Sequence, residues 1–136
     1  MPAIDTLKPG DLLPGRQYTP DNVQLFLYNA ALWNAHRIHF DHPYATQVEG
    51  YSGLVIAGPL LGEWLAQCVV EWLGDDGRLS AIEYSNRKVA IIGETLQSGG
   101  VVLEVDAARR KAELELYIRN GQGEVIAPGT ATVRFD

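Results

Sequence analysis

The chain has 136 residues, of which 46% are hydrophobic and 21% charged, and a net charge of −6 at neutral pH. This length and composition predict a single globular domain over residues 1–136 and argue against disorder. The negative charge argues against nucleic acid or an anionic membrane surface as a partner. One cysteine, Cys68, allows no intrachain disulfide, which fits a cytoplasmic protein. We expect no signal peptide, because the first thirty residues lack a basic region followed by an apolar block. We expect no membrane helix, because no apolar run approaches about 18 residues.

The N-terminal part predicts an irregular arm followed by a helix. Proline and glycine punctuate residues 1–18, where Leu12 and Leu13 would add a short edge strand. The helix is predicted to begin with Thr19 as its N-cap and Pro20 in its first position. It should end near Trp33 or Asn34. Its apolar residues recur at helical spacing and predict one apolar face: Val23, Phe26, Leu27, Ala30 and Ala31.

The segment Asn34–Gly53 has no clear period and predicts a loop, in which Pro43 blocks helix formation. It carries all three histidines of the chain, His36, His39 and His42. An imidazole can take and return a proton near neutral pH, and loops held by a scaffold often carry function. We expect one of the two outer histidines to hydrogen-bond within the loop and the other to face solvent. No metal site is expected, because the histidines lie in an irregular loop without cysteine support.

A second helix is predicted from Gly58-Pro59 to about Leu73. Apolar side chains cover most of its circumference, and the one polar line is formed by Glu63, Gln67 and Glu71. A helix that is apolar nearly all round is buried. Its first turn presents free backbone N–H groups and a partial positive charge.

The rest of the chain predicts antiparallel strands. Gly93 and Gly99-Gly100 are expected at turns, and Asn120–Gly123 is typical of a hairpin. The fold class is therefore α+β, with a curved antiparallel sheet of four or five strands wrapped around the long buried helix. The predicted strands are 79–84, 88–92, 101–105, 111–118 and 125–135.

Three stretches resemble the MaoC-like hotdog hydratases: Asn34–Asp41 (N-A-H-R-I-H-F-D), Gly50–Val55 (G-Y-S-G-L-V) and Gly58–Leu61 (G-P-L-L). The nearest subgroup is similar to mesaconyl-CoA hydratase and the mitochondrial 3-hydroxyacyl-thioester dehydratases. The resemblance extends over about residues 20–135 and includes the ending Gly129–Val133. It implies a hotdog fold, commonly with two hotdogs side by side. It also implies reversible hydration of a trans-2-enoyl thioester to a 3-hydroxyacyl thioester, without a cofactor beyond the coenzyme A handle of the substrate.

The resemblance also implies roles for individual residues. His39 matches the catalytic acid/base, and Gly58 matches the glycine whose N–H binds the thioester oxygen. Asn34 stands where the commoner motif has aspartate. An amide has no acid–base equilibrium at neutral pH, so we expect Asn34 to position the water. The remaining predicted substrate-binding residues are Tyr51, Val55, Ala57 and Pro59.

Several alternatives stay open. From spacing alone, His39 is more typical of a buried histidine bonded to a backbone carbonyl, and only the resemblance favours a catalytic role. Tyr51 and Val55 are equally typical of a core. Glu63, one turn into the central helix, suggests a hotdog acyl-CoA thioesterase. Ala57 stands where the family usually has histidine, which suggests a non-catalytic, thioester-binding subunit of a heteromeric hydratase. The expected partners are an acyl-CoA or acyl-carrier thioester and a second hotdog, in a homodimer or a heteromer.

Overall fold

The computed structural model describes residues 2–136, which form five strands and two long helices. Between the helices lie a 3-10 turn at Arg37–His39 and a π-helical turn at Tyr44–Val48. The long elements in chain order are β1 (Leu12–Tyr18), α1 (Asn22–Ala31), α2 (Gly58–Leu73), β2 (Gly77–Tyr84), β3 (Leu96–Asp106), β4 (Lys111–Arg119) and β5 (Val125–Phe135).

The five strands form one antiparallel sheet in the order β1-β3-β4-β5-β2. Helix α2 contacts all five strands, so the sheet surrounds it as predicted. Its buried face meets the inward side chains of β4 and β5, which alternate with outward polar residues. The prediction of an α+β fold with a buried central helix is confirmed.

The central helix begins and ends where the sequence predicts. Ala57 is its N-cap, Gly58 its first residue, and Gly74 its C-cap. The polar line of Glu63, Gln67 and Glu71 is exposed. The residues of α2 that are buried in the core are Leu60, Leu61, Gly62, Trp64, Leu65, Cys68, Val69 and Leu73. No helix within residues 2–136 combines the length and apolarity that a bilayer span requires.

The prediction for the start of α1 is wrong by two residues. Asp21, not Thr19, is the N-cap, and its carboxylate accepts a hydrogen bond from the Gln24 N–H at 2.8 Å. Asp is as good a cap as Thr, and here it satisfies a free N–H of the first turn. Thr19 instead bonds the Thr95 hydroxyl at 3.0 Å. The helix ends at Ala31, two residues earlier than expected.

The apolar face of α1 faces outward in the single chain. Val23, Phe26 and Leu27 are 60%, 56% and 62% exposed, whereas Leu25 and Asn29 are buried. Helical periodicity identifies which residues share a face, but it does not say whether the core of the same chain covers that face. So large an exposed apolar surface is typical of a site covered by another molecule.

The loop prediction for residues 34–53 and the strand prediction for 88–92 are corrected. Pro43 lies at the start of the π-helical turn, where a missing N–H costs nothing. Residues 88–92 form an irregular connection with one isolated bridge, from Ile91 to Val55. The N-terminal arm contributes a full edge strand, β1, with an irregularity between Leu13 and Arg16.

Gly99 and Gly100 lie inside β3 rather than at a turn. They pair with Tyr117 and Leu116 of β4. A Cβ on Gly100 would lie 2.8 Å from the Glu115 carbonyl oxygen. These glycines therefore permit a close approach of two strands. Glycine in a β-rich segment commonly serves either a turn or such an approach, and here it serves the approach. The predicted hairpin turn Asn120–Gly123 does join β4 to β5.

Candidate active site

His39 is the buried histidine of the chain, with 7% of its surface exposed. Its Nδ1 lies 2.6 Å from the Val55 carbonyl oxygen. A carbonyl oxygen only accepts, so Nδ1 carries the proton and donates it. In the neutral ring Nε2 then holds a lone pair. Within residues 2–136 Nε2 has no hydrogen-bond partner, and it is not among the fully buried polar atoms. His39 thus offers a base at Nε2.

The surroundings of His39 favour its neutral form. Burial lowers the pKa of His39 below its ordinary value, and the nearby His36 lowers it further. The hydrogen bond to Val55 opposes these effects but does not outweigh the burial. A lowered pKa keeps Nε2 unprotonated at neutral pH, as a general base requires.

Short-range hydrogen bonds build the turn that carries His39. The Asn34 carboxamide oxygen accepts from the His36 N–H at 3.2 Å, and the His36 ring nitrogen Nδ1 accepts from the Ile38 N–H at 3.3 Å. The rings of His36 and His39 lie 5.7 Å apart, centroid to centroid. His36 is therefore the histidine bonded within the loop, and His42 is exposed, as expected.

Val55 connects this turn to the start of α2. Its N–H donates to the Ile38 carbonyl at 2.9 Å, and its own carbonyl accepts from His39. The next residue, Ile56, donates to the Ala90 carbonyl at 2.8 Å. Two residues further along the chain, Gly58 begins α2. The segment that holds the histidine is therefore the one that positions the helix N-terminus.

Gly58 presents a free donor. In the described part of the chain, no acceptor bonds its N–H, as expected for the first residue of a helix. Gly58 is half-buried, between the fully buried Ala57 and the exposed Pro59. The carboxamide of Asn86 lies against it: a Cβ on Gly58 would be 2.3 Å from Asn86 Nδ2. Sequence reasoning missed Asn86, because no motif or spacing connects residue 86 to residue 58.

Asn34 lies three residues before the turn Arg37–His39. Its oxygen is engaged by His36, and its Nδ2 makes no hydrogen bond with residues 2–136. No hydrogen bond joins the side chains of Asn34 and His39 within the same residues. Asn34 also borders a largely apolar cavity of about 360 Å³, lined by Phe26, Asn29, Ala30, Trp33, Asn34, Ala35 and Phe40.

The other predicted residues take mixed positions. Tyr51 is half-buried and is held by a bond from its N–H to the Ala45 carbonyl at 2.9 Å. Val55 is buried, and it meets His39 through its carbonyl oxygen. Glu63 is exposed. The pKa of Tyr28 is raised, first by the burial of Tyr28 itself and then by the negative charge of Glu63. Contact of Tyr51, Val55, Ala57 and Pro59 with a substrate stays a prediction. Among residues 2–136 no three His, Cys, Asp or Glu side chains form a cluster suited to a metal.

The family model described as hydroxyacyl-thioester dehydratase type 2 matches residues 8–92, more than half of the chain. The chain belongs to this family. Mesaconyl-C(4)-CoA hydratase of Chloroflexus aurantiacus is 50% identical over 52 residues, which are 38% of this chain and 19% of that protein. The mitochondrial hydroxyacyl-thioester dehydratase type 2 of Schizosaccharomyces pombe is 48% identical over 44 residues, 32% of this chain and 15% of that protein. These alignments thus span less than a quarter of either relative.

Solved structures show the same fold. The (R)-hydratase from A. caviae superimposes with a TM-score of 0.88 over 96% of this chain and 98% of that one, at 16% identity. The ChsH1–ChsH2 complex of Mycobacterium tuberculosis gives 0.84 over 95% and 98% of the two chains, also at 16% identity. A MaoC-like dehydratase gives 0.88 at 23% identity over 99% of this chain and 42% of that one. The predicted hotdog fold and the MaoC-like resemblance are confirmed.

Proposed function

We propose that this member of the hydroxyacyl-thioester dehydratase family is a hydratase/dehydratase that interconverts a trans-2-enoyl thioester and a 3-hydroxyacyl thioester. One observation carries the proposal. His39 is fixed through Nδ1 to Val55, which leaves Nε2 as a free base, and the same segment leads directly to the free N–H of Gly58. A base and an oxyanion donor on one rigid segment are what hydration of a conjugated thioester requires.

The reaction begins when Nε2 of His39 takes a proton from water as the water oxygen bonds to C3 of the enoyl group. The C2=C3 electron pair shifts toward the thioester, whose oxygen becomes enolate-like. The Gly58 N–H donates to that oxygen, assisted by the dipole of α2. The imidazolium then returns a proton to C2, so the enzyme is unchanged and one water has been added. Dehydration is the reverse.

Asn34 would hold the attacking water through its free amide group, because its oxygen is already bonded to His36. It cannot exchange the proton itself. All proton transfer therefore falls to His39. No step needs a metal or a redox cofactor, and the thioester handle, coenzyme A or a carrier protein, belongs to the substrate.

We further infer that the working form is a pair of hotdogs. The outward apolar face of α1 and the open edge of β2 are surfaces that a second subunit would cover. The structural neighbours include the ChsH1–ChsH2 complex and the HadBC 3R-hydroxyacyl-ACP dehydratase complex, both from Mycobacterium tuberculosis. Sedimentation velocity of the purified chain distinguishes the two cases. A homodimer sediments as a dimer, whereas a subunit that needs a different partner sediments as a monomer.

The test is a hydration assay of the purified chain on crotonyl-CoA and a longer trans-2-enoyl-CoA. We expect loss of the conjugated-enoyl absorbance without release of free thiol. Thiol release would instead support the thioesterase reaction through Glu63. Inactivity of the homodimer, restored by a second hotdog subunit, would support the non-catalytic role that Ala57 suggests.

A further inference from the structure

The side chain of Asn86 is a polar group beside Gly58 that has no assigned role. It lies in the connection that follows β2. The N–H of Ser85 donates to the Pro128 carbonyl at 3.1 Å, and the N–H of Arg87 donates to the Ile126 carbonyl at 2.9 Å. The backbone on both sides of Asn86 is therefore attached to β5, and this fixes the direction in which the side chain leaves the connection.

That direction is toward the first residue of α2. An ideal Cβ on Gly58 would lie 2.3 Å from Asn86 Nδ2 and 2.9 Å from its Cγ. The carboxamide thus occupies the space that any side chain at position 58 would need. The neighbouring Asn86 carboxamide therefore explains the glycine at position 58.

The carboxamide packs against Gly58 but has no hydrogen-bonding role within the described residues. It makes no hydrogen bond to any residue from 2 to 136, and it is exposed. Its Nδ2 would lie 2.3 Å from a Cβ on Gly58, and the N–H of the same residue also lacks a partner within residues 2–136. An independent sign of a ligand at this end of α2 is His39, which is 7% exposed yet leaves Nε2 free.

We propose that Asn86 Nδ2 is a second donor to the thioester oxygen and acts together with the Gly58 N–H. This inference rests on the proposed hydratase function and adds a residue to its site. During hydration the oxygen gains negative charge, and two neutral donors stabilise that charge without exchanging a proton. Asn86 therefore contributes to the rate through the charge-bearing intermediate and leaves the acid–base chemistry to His39.

The test compares Asn86→Asp, Asn86→Ala and a control, Gln122→Glu. The control makes the same amide-to-carboxylate change on an exposed side chain of the β4–β5 turn. We expect Asn86→Asp to lower kcat for enoyl-CoA hydration about 100-fold, because it replaces a donor by a negative charge. Asn86→Ala should lower kcat about 10-fold, because water can replace the amide at an exposed position. KM should change less than kcat in both, and Gln122→Glu should match the wild type.

A spectroscopic measurement separates charge stabilisation from a loss of shape. Butyryl-CoA labelled with carbon-13 at the thioester carbonyl has no double bond to hydrate, so it binds unchanged. Its carbonyl stretching frequency should fall on binding to the wild type, and less so on binding to either Asn86 variant. Equal shifts in wild type and variants would refute a direct contact.

The assays keep the two hypotheses apart. If the wild type hydrates enoyl-CoA and Asn86→Asp stays within twofold of it, Asn86 is not a donor, whereas the hydratase function stands. If neither the wild type alone nor the wild type with a second hotdog subunit hydrates any enoyl-CoA, the function fails and this assignment fails with it.

Discussion

The hydrogen bond between His39 and Val55 gives the sharpest prediction, because two substitutions at one position separate catalysis from stability. In His39→Asn the amide nitrogen lies where Nδ1 lies in histidine, so the bond to the Val55 carbonyl can persist while the base at Nε2 is lost. In His39→Ala both are lost. Val55 is 4% exposed, and no other donor within residues 2–136 bonds its carbonyl.

The magnitudes follow from that burial. A buried carbonyl left without a donor costs about 1–3 kcal/mol. For a chain of this length each kcal/mol corresponds to roughly 3–5 °C in the melting temperature. We therefore expect His39→Ala to melt about 5–10 °C lower, and His39→Asn to melt close to the wild type. Both should lose about 10²–10⁴-fold in hydration rate, since general acid–base catalysis contributes that much.

The assays are differential scanning calorimetry and loss of enoyl-CoA absorbance, with His42→Asn as a control on an exposed histidine of the same loop. If His39→Asn hydrates at the wild-type rate, His39 is not the base. If His39→Ala melts like the wild type, the Val55 bond does not stabilise the turn, and the argument that it positions the ring is wrong.

The remaining predictions concern pH and three other positions. Burial holds the pKa of His39 below its ordinary 6.5, so the unfolded chain binds the proton first as pH falls. The free energy of unfolding that His39 contributes is therefore fully present above about pH 6.5 and should decline as the pH falls below that value. Urea unfolding at several pH values should show a smaller decline for His39→Asn than for the wild type. Gly58→Ala should keep the melting temperature, because the exposed Asn86 carboxamide can move away, yet hydrate about 10-fold more slowly because the Asn86 donor is displaced. Gly129→Ala should instead destabilise by about 1–3 kcal/mol, because its Cβ would lie 2.8 Å from the backbone oxygen of Glu83; equal melting temperatures for the two variants would contradict this contrast. Glu63→Gln should leave hydration unchanged, and a large loss would indicate that Glu63 takes part.

Local chemistry allowed much of the fold to be predicted. The all-round apolar pattern identified α2 as the buried element, and alternation identified β4 and β5, because both patterns report burial directly. The glycine pair in β3 was misinterpreted because glycine permits a turn and a close strand approach alike. The outward face of α1 could not be predicted, since periodicity does not reveal which molecule covers an apolar face.

The candidate site was predictable only in part. Its histidine and glycine follow from sequence resemblance, and each lies on a rigid element in the structure. The carbonyl of Val55 and the carboxamide of Asn86 were not predictable, because both act across long sequence separations. Val55 was predicted to bind substrate, which stays a prediction, and in addition its backbone carbonyl accepts a hydrogen bond from His39. Backbone groups carry no residue-specific signal, so such a contact is visible only in three dimensions.

The link through Val55 has a consequence for how this family can vary. His39 and Val55 are 16 positions apart in the sequence but are joined by a hydrogen bond, and the stretch between them lies largely at the surface. Insertions in this stretch would therefore lengthen it without moving either end. Between Val55 and Gly58 there are only Ile56 and Ala57, both buried. One inserted residue at that point would turn the helix start away from the histidine. Sequence changes that alter substrate preference should therefore accumulate between His39 and Val55, while the spacer Ile56-Ala57 keeps its length of two residues.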